Sequence, residues 1–220
     1  NKADISGNDI LAYWQDDPNT ELILLYIENF GDPRRFTGIA RGITRKKPIV
    51  AVKAGRTAAG AQAISSHTGV LAGLDVGTDA LFDQCGVQRV TSVDELFDVA
   101  IAFTNQPLPE GDRIAVITNA GGPGILATDA VVSLGMKMAD FEPKTLKYLR
   151  ANLPPIAAVN NPIDVIAAGG PDSYRVAMDA VLSDKNVDGV IVIFVPPIVV
   201  DHRAVIRAIV EMIAKHHNNK

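Results

Sequence analysis

The sequence predicts an α/β protein made of two tandem domains, each a parallel sheet between layers of helices. Three observations carry this. First, short runs of Val, Ile and Leu alternate with longer amphipathic segments along all 220 residues, the order that produces parallel strands joined by right-handed crossovers. Second, hydrophobic residues make up 47% of the chain but aromatic ones only 5%, so the core is built from Val, Ile, Leu and Ala, as strands buried on both faces require. Third, Gln106-Pro107-Leu108-Pro109-Glu110-Gly111-Asp112 breaks the alternation with two prolines and a glycine, and the pattern restarts after it. The expected domains are therefore 1–106 and 112–220.

The elements follow in order. Polar Ser6-Gly7-Asn8-Asp9 starts a short helix through Ile10, Leu11, Tyr13 and Trp14, closed by Asp17-Pro18. Leu22 to Ile27 is a continuous apolar run and reads as a buried strand with Glu28 at its carboxyl end. Residues 33–45 read as an amphipathic helix with a basic face. Pro48 to Val52 is the next strand, ending in Lys53-Ala54-Gly55-Arg56. The small, polar stretch that follows, centred on Ser65-Ser66-His67-Thr68-Gly69, reads as a loop. Residues 76–84 read as a helix and Val87 to Val90 as a short strand. Ser92-Val93-Asp94-Glu95 opens a helix with an acidic first turn, where the helix dipole favours negative charge.

After the break, Arg113 to Thr118 is a strand, Asn119-Ala120-Gly121-Gly122-Pro123-Gly124 a tight loop, and Ile125 to Leu134 a helix. Thr145 to Leu153 is a helix closed by two prolines. Pro162 to Val165 is extended, Pro171 to Leu182 helical, Gly189 to Phe194 a strand and Asp201 to Lys215 the last helix. Both halves thus read as flavodoxin-like or Rossmann-like three-layer domains. In such sheets ligands bind beyond the carboxyl ends of the strands. Glu28, Gly55-Arg56 and Asn119 to Gly124 all fall there. The chain starts Asn1-Lys2-Ala3-Asp4, with no Met and no strand before the first helix, which suggests a piece of a longer polypeptide cut inside a domain.

Composition excludes several classes. A formal net charge of −4 offers no concentrated positive field for nonspecific nucleic-acid binding. A single cysteine, Cys85, makes no internal disulfide and no thiolate zinc site, and reads as a small buried hydrophobe. The longest apolar run, Val190 to Val200, is interrupted by Pro196-Pro197 and falls short of the ~20 residues a bilayer needs. With no signal peptide in the sequence, the cytoplasm is the expected compartment.

Two segments can carry chemistry. Asn119 to Gly124 joins a strand to a helix start. Its glycines Gly121, Gly122 and Gly124 let backbone N–H groups approach a ligand, and a helix N-terminus suits phosphate. A tight turn with no ligand explains the same pattern. The segment lacks the Gly-Lys-Ser/Thr of a Walker A loop. His67 stands among small residues that leave room for an adduct, and the hydroxyls of Ser65, Ser66 and Thr68 can bond phosphoryl oxygens. A neutral imidazole is a good nucleophile when an acceptor such as the Glu28 carboxylate holds its other nitrogen. A surface or capping histidine is the competing reading. Arg56 and Lys53 can neutralise phosphate or simply be solvated. Asn160-Asn161-Pro162-Ile163-Asp164 reads as a turn capped by its own side chains. His202, His216 and His217 read as surface residues. No metal-ligand set is evident.

Val52-Lys53-Ala54-Gly55-Arg56 followed by Ser66-His67-Thr68-Gly69-Val70-Leu71-Ala72-Gly73 resembles the ligase domain of the ADP-forming acyl-CoA synthetases, relatives of succinyl-CoA synthetase. Thr118-Asn119-Ala120-Gly121-Gly122-Pro123-Gly124, Ala127-Thr128-Asp129 and Asn161-Pro162-Ile163-Asp164 resemble the second ligase domain of that family, so the resemblance runs along nearly the whole chain in the family's order. It implies an acid–thiol ligase of the acetate–CoA type. In that chemistry acyl-CoA and phosphate give acyl phosphate, whose phosphoryl group passes to a histidine and then to ADP. By this resemblance His67 is the phosphorylated histidine, Glu28 its orienting carboxylate, and Asn119 to Gly124 one helix N-terminus that holds the phosphohistidine. Arg56, from its place just after a strand, is a candidate anion contact. The resemblance also implies CoA or acyl-CoA, phosphate, and ADP or ATP with magnesium in the full protein, none held entirely by these residues. The implied partners are CoA-binding and ATP-grasp domains or subunits, and an oligomer is expected. The alternatives are a non-catalytic acyl-CoA- or nucleotide-sensing module and a plain interaction domain.

Overall fold

The computed structural model of the chain describes residues 4–68 and 75–216. Two compact units divide it, Asn1–Gln106 and Pro107–Lys220.

The first unit runs Gly7–Asp16 (α1), Ile23–Ile27 (β1), Pro33–Ile43 (α2), Ile49–Lys53 (β2), Ala58–Thr68 (α3), Val76–Cys85 (α4), Gln88–Val90 (β3) and Val93–Asn105 (α5). The strands form a parallel sheet in the order β1-β2-β3. The central strand is buried at every position, which is why its residues form an unbroken apolar run. Leu11, Phe36, Ile43, Phe82 and Cys85 from α1, α2 and α4 pack on one face with Ile23, Ile49 and Ala51. Val50, Val52 and Val90 pack with Leu96 of α5 on the other. Each such fully buried aliphatic or aromatic side chain contributes about 1.5–3 kcal/mol. Local chemistry sets the helix starts. Ser6 and Asp9 form a reciprocal capping box on α1, Asp32 caps α2 ahead of Pro33, and Ser92 caps α5.

The second unit runs Arg113–Thr118 (β4), Gly121–Ser133 (α6), Lys137–Met138 (β5), Pro143–Asn152 (α7), Ile163–Asp164 (β6), Pro171–Leu182 (α8), Gly189–Ile193 (β7) and His202–Lys215 (α9). The strand pairings are parallel, and one isolated antiparallel bridge joins Ala158 to Asp164. β7 covers one edge of β4 from Ile114 to Thr118, while β5 and β6 share the other, β5 at Arg113–Ile114 and β6 at Ile117–Thr118. Leu149, Tyr174, Met178, Val181 and Val205 from α7, α8 and α9 fill one face, and Val131 of α6 packs on Ile114 and Val116 on the other. The three-layer α/β expectation therefore holds in both units.

Four readings of local structure need correction. Residues 58–68 form a helix rather than a loop, because an Ala-rich start outweighs the Gly, Ser and Thr that suggested irregularity. α6 begins at Gly121 rather than Ile125, since Pro123 is tolerated in a first turn whose N–H groups are unpaired anyway. β5, two residues long, was not foreseen. Asn161 does not cap its own turn. Its Oδ1 accepts from Val116 N at 2.9 Å, and its Nδ2 donates to the Ile114 and Ala139 carbonyls at 2.8 and 3.1 Å. The amide thus fills the gap between β5 and β6 as a strand rung would. The Asn161–Pro162 peptide is cis.

Candidate functional site

In the first unit the register pairs Ile27 with Lys53, so Glu28 and Ala54-Gly55-Arg56 leave the sheet at the same carboxyl edge. Ala54 N donates to the Ile27 carbonyl at 2.9 Å and continues the pairing. Gly55 turns at a φ of +78°, a left-handed conformation that side chains rarely adopt. A Cβ there would also fall 2.5 Å from Ile64 Cδ1 of α3. α3 therefore folds back over the turn.

Cations gather at this edge. Lys53 is only 4% exposed, and its Nζ donates to the Ala54 carbonyl at 2.6 Å. Burial pushes its pKa down; Asp75 and Glu28 oppose that shift and Arg89 adds to it. Arg89 reaches Asp75 at 2.7 Å and Asp79 at 2.5 Å. Burial works against its charge, but the two aspartates outweigh that and raise its pKa. Arg56 lies exposed with its Nε 4.0 Å from Asp75. Sequence reasoning missed Asp75 and Arg89 altogether. The signal available was a lysine ending an otherwise apolar strand, which marks a buried ammonium in need of acidic neighbours.

Glu28 is half-buried at the end of β1. Ser66 is exposed and donates to the Gln62 carbonyl at 2.9 Å, so a phosphoryl contact would require it to leave its own helix. The backbone of His67 and Thr68 closes α3, while their side chains, like residues 69–74 and His217, lie outside the described residues. His216, read as a surface residue, instead pairs with Asp179 at 2.9 Å.

In the second unit, α6 starts directly after β4. Ala120 supplies no side-chain cap, so the first N–H groups of the helix, those of Gly121 and Gly122, face an exposed surface. The Asp164 carboxylate stands beside this helix start, its Oδ2 3.6 Å from where a Gly121 Cβ would be, and its Oδ1 accepts from Ile166 N at 2.8 Å. Ile166 holds a φ of +61°, a strained conformation for a β-branched residue. Asn119 is buried and fully engaged, donating from Nδ2 to the Val195 carbonyl and accepting Val195 N on Oδ1, both at 2.8 Å. Its side chain ties the end of β4 to the end of β7, which leaves only its backbone for a ligand. Gly124 is buried, and a Cβ there would lie 2.9 Å from Thr118 Cγ2, so this glycine serves packing. Tyr174 donates to the Ile193 carbonyl at 3.0 Å; burial, then Asp164, push its pKa up. The structure thus brings Glu28 and Arg56 to one edge of the first unit, and Asn119, Gly121, Gly122 and Gly124 to one edge of the second.

Among the described residues, no group of three or more His, Cys, Asp or Glu is placed to hold a metal ion, and no helix is long and apolar enough to cross a membrane.

Two family models match in succession: the succinyl-CoA ligase like flavodoxin domain over residues 1–103 and the Ligase-CoA domain over residues 114–219. The chain is also 48% identical over 198 residues to the acetate–CoA ligase [ADP-forming] II subunit alpha of Pyrococcus furiosus, a match covering 90% of this chain and 43% of that protein. The chain belongs to the ADP-forming acyl-CoA synthetase family. It is 39% identical over 218 residues to the acetate–CoA ligase [ADP-forming] I subunit alpha of the same organism, covering 99% of this chain and 46% of that one. The dinucleotide forming acetyl-coenzyme A synthetase 1 of Ca. Korarchaeum cryptofilum, solved in complex with phosphate and ADP, superposes with a TM-score of 0.91 at 35% identity, covering 100% of this chain and 48% of that one. The chain therefore spans less than half the length of these relatives.

Proposed function

We infer that this chain is the ligase core of an ADP-forming acyl-CoA synthetase of the acetate–CoA type, with 1–106 as its first succinyl-CoA-synthetase-like ligase domain and 112–220 as its second. His67 is the phosphoryl carrier. An imidazole nitrogen forms a bond to the phosphorus of an acyl phosphate as the bond to the acyl oxygen breaks, and the electron pair leaves with the carboxylate. Glu28 holds the other ring nitrogen, which fixes the tautomer and steadies the positive charge that develops. The uncapped N–H groups of Gly121 and Gly122 serve the phosphoryl group as donors, with Asn119 and Gly124 shaping that helix start. Arg56, Ser66 and Thr68 are further anion contacts.

The observation that carries this reading is the similarity to ADP-forming acetate–CoA ligase subunits along nearly the whole chain. Support from geometry is the convergence of Glu28, Arg56 and the turn leading to α3 at one sheet edge. CoA, ADP or ATP and magnesium act in the full protein with CoA-binding and ATP-grasp domains or subunits. The assembly is a cytoplasmic oligomer that binds neither nucleic acid nor membrane.

The test uses the complete enzyme incubated with acetyl-CoA and labelled phosphate. Acid-labile label is expected on the wild type and its loss in His67→Ala. Label retained in that variant overturns the reading.

A further inference from the structure

Lys53 ends the central strand β2 and is 4% exposed, yet among the described residues its ammonium makes one hydrogen bond, to the Ala54 carbonyl at 2.6 Å, and no ion pair. An ammonium carries three N–H donors, so two stay open. A buried charge left in this condition is costly unless an anion compensates it. The next cation on the sheet is also short of a partner. Arg89 pairs in register with Ala51, so by the two-residue period of a strand it stands on the same face as Lys53. Its terminal nitrogens reach Asp75 at 2.7 Å and Asp79 at 2.5 Å, but its Nε is buried with no hydrogen-bond partner among the described residues. Asp75 is committed to Arg89 and gives the start of α4 no side-chain cap. Burial lowers the Lys53 pKa most; Asp75 opposes this, Arg89 adds to it and Glu28 opposes it, so the ammonium stands within electrostatic reach of the end of β1. The chain from Lys53 leads straight to the proposed carrier: Ala54 precedes the Gly55 turn, and that turn packs under Ile64 of α3, whose last turn contains His67. Open buried donors on two neighbouring cations suit an anion with several oxygens.

We propose that Lys53 is a further catalytic residue, whose open N–H groups bond oxygens of the phosphoryl group while His67 carries it. The inference rests on the reading of His67 as the carrier. Charge on a transferring phosphoryl group is spread over its oxygens, and a cation already fixed in dry surroundings stabilises it without reorganising. The empty site then bears the cost of an uncompensated ammonium, which the phosphoryl group relieves. A lysine that served only to pin the Ala54 turn would instead stabilise the empty protein.

The experiment compares the complete enzyme as wild type, Lys53→Met and Lys53→Arg. It measures the rate at which γ-labelled ATP labels His67, and the thermal unfolding midpoint without ligands. Removing one donor aimed at a developing oxyanion costs about 10²–10³-fold in rate, so labelling in Lys53→Met is expected to slow by about that factor. Its unfolding midpoint is expected to equal or exceed that of the wild type, because an apolar side chain of similar length replaces an unpaired buried charge. Lys53→Arg, which keeps the charge, is expected to recover part of the rate. In the wild type, the Lys53 ε-carbon resonance is expected to move when ATP phosphorylates His67, a readout that needs no Met variant to fold. Wild-type label with an undiminished rate in Lys53→Met sinks the role of Lys53 alone. Slower labelling with a lowered midpoint and an unmoved resonance marks a structural lysine and overturns the proposal. A raised KM for acetate with normal labelling assigns the ammonium to the acid and overturns it too. Absence of label on the wild type sinks the carrier reading, and the role of Lys53 with it.

Discussion

Single side chains decide whether the second unit holds together. Asn161 serves three backbone groups, two on β4 and one just past β5, and the Val116 N–H it accepts from belongs to a fully buried residue. Removing the amide leaves that donor without a partner, which costs about 1–3 kcal/mol. Asn161→Ala is expected to lower the denaturation midpoint of the second unit accordingly, read by urea unfolding. At the start of α1, hydrogen bonds from the Ser6 hydroxyl and backbone, with Arg35 beside it, bring Asp9 down from its ordinary 3.8 to about 2. A depressed carboxylate contributes stability that is complete above its unfolded value and is lost as pH falls through the folded one. The first unit should therefore weaken between about pH 4 and pH 2, and Asp9→Asn should flatten that slope in unfolding measured across the range. His67 and Glu28 could be singled out from sequence because their neighbours and position at a strand end were visible there. Lys53 was seen as a cation, but its burial was not, since burial depends on what covers the strand.

At the level of elements, the glycines opening α6 look alike in sequence and differ in structure. Nothing lies within 4 Å of a Cβ placed on Gly122, whereas one on Gly124 meets Thr118 at 2.9 Å. Gly124→Ala is expected to cost about 1–3 kcal/mol through overpacking, and Gly122→Ala to stay within about 0.5 kcal/mol, both by thermal unfolding. The strands β1, β2, β4 and β7 could be read from sequence because buried parallel strands are continuous apolar runs. β5 escaped because two residues carry no periodicity, and its pairing depends on where β4 ends up. α3 escaped because its Ser, Gly and Thr residues resemble a loop, while the alanines that favour helix carry no hydrophobic pattern.

Across the whole molecule, each unit has its own hydrophobic clusters and its own sheet. Residues 107–220 expressed alone are expected to unfold in a single cooperative transition, with calorimetric and van't Hoff enthalpies in agreement. A broad, non-cooperative melt would show that this unit needs the rest of the chain.

β4 also sets a schedule. Its pairing with β7 brings together positions 75 residues apart, as in the ion pair of Arg113 with Asp188. Closing so long a loop is entropically slow, and distant pairings retard folding. On the ribosome, β4 emerges before β7 and keeps one edge open until β7 has been made. During that interval its unpaired edge is open to pairing with another chain, which exposes the second unit to aggregation during synthesis at high temperature or high yield.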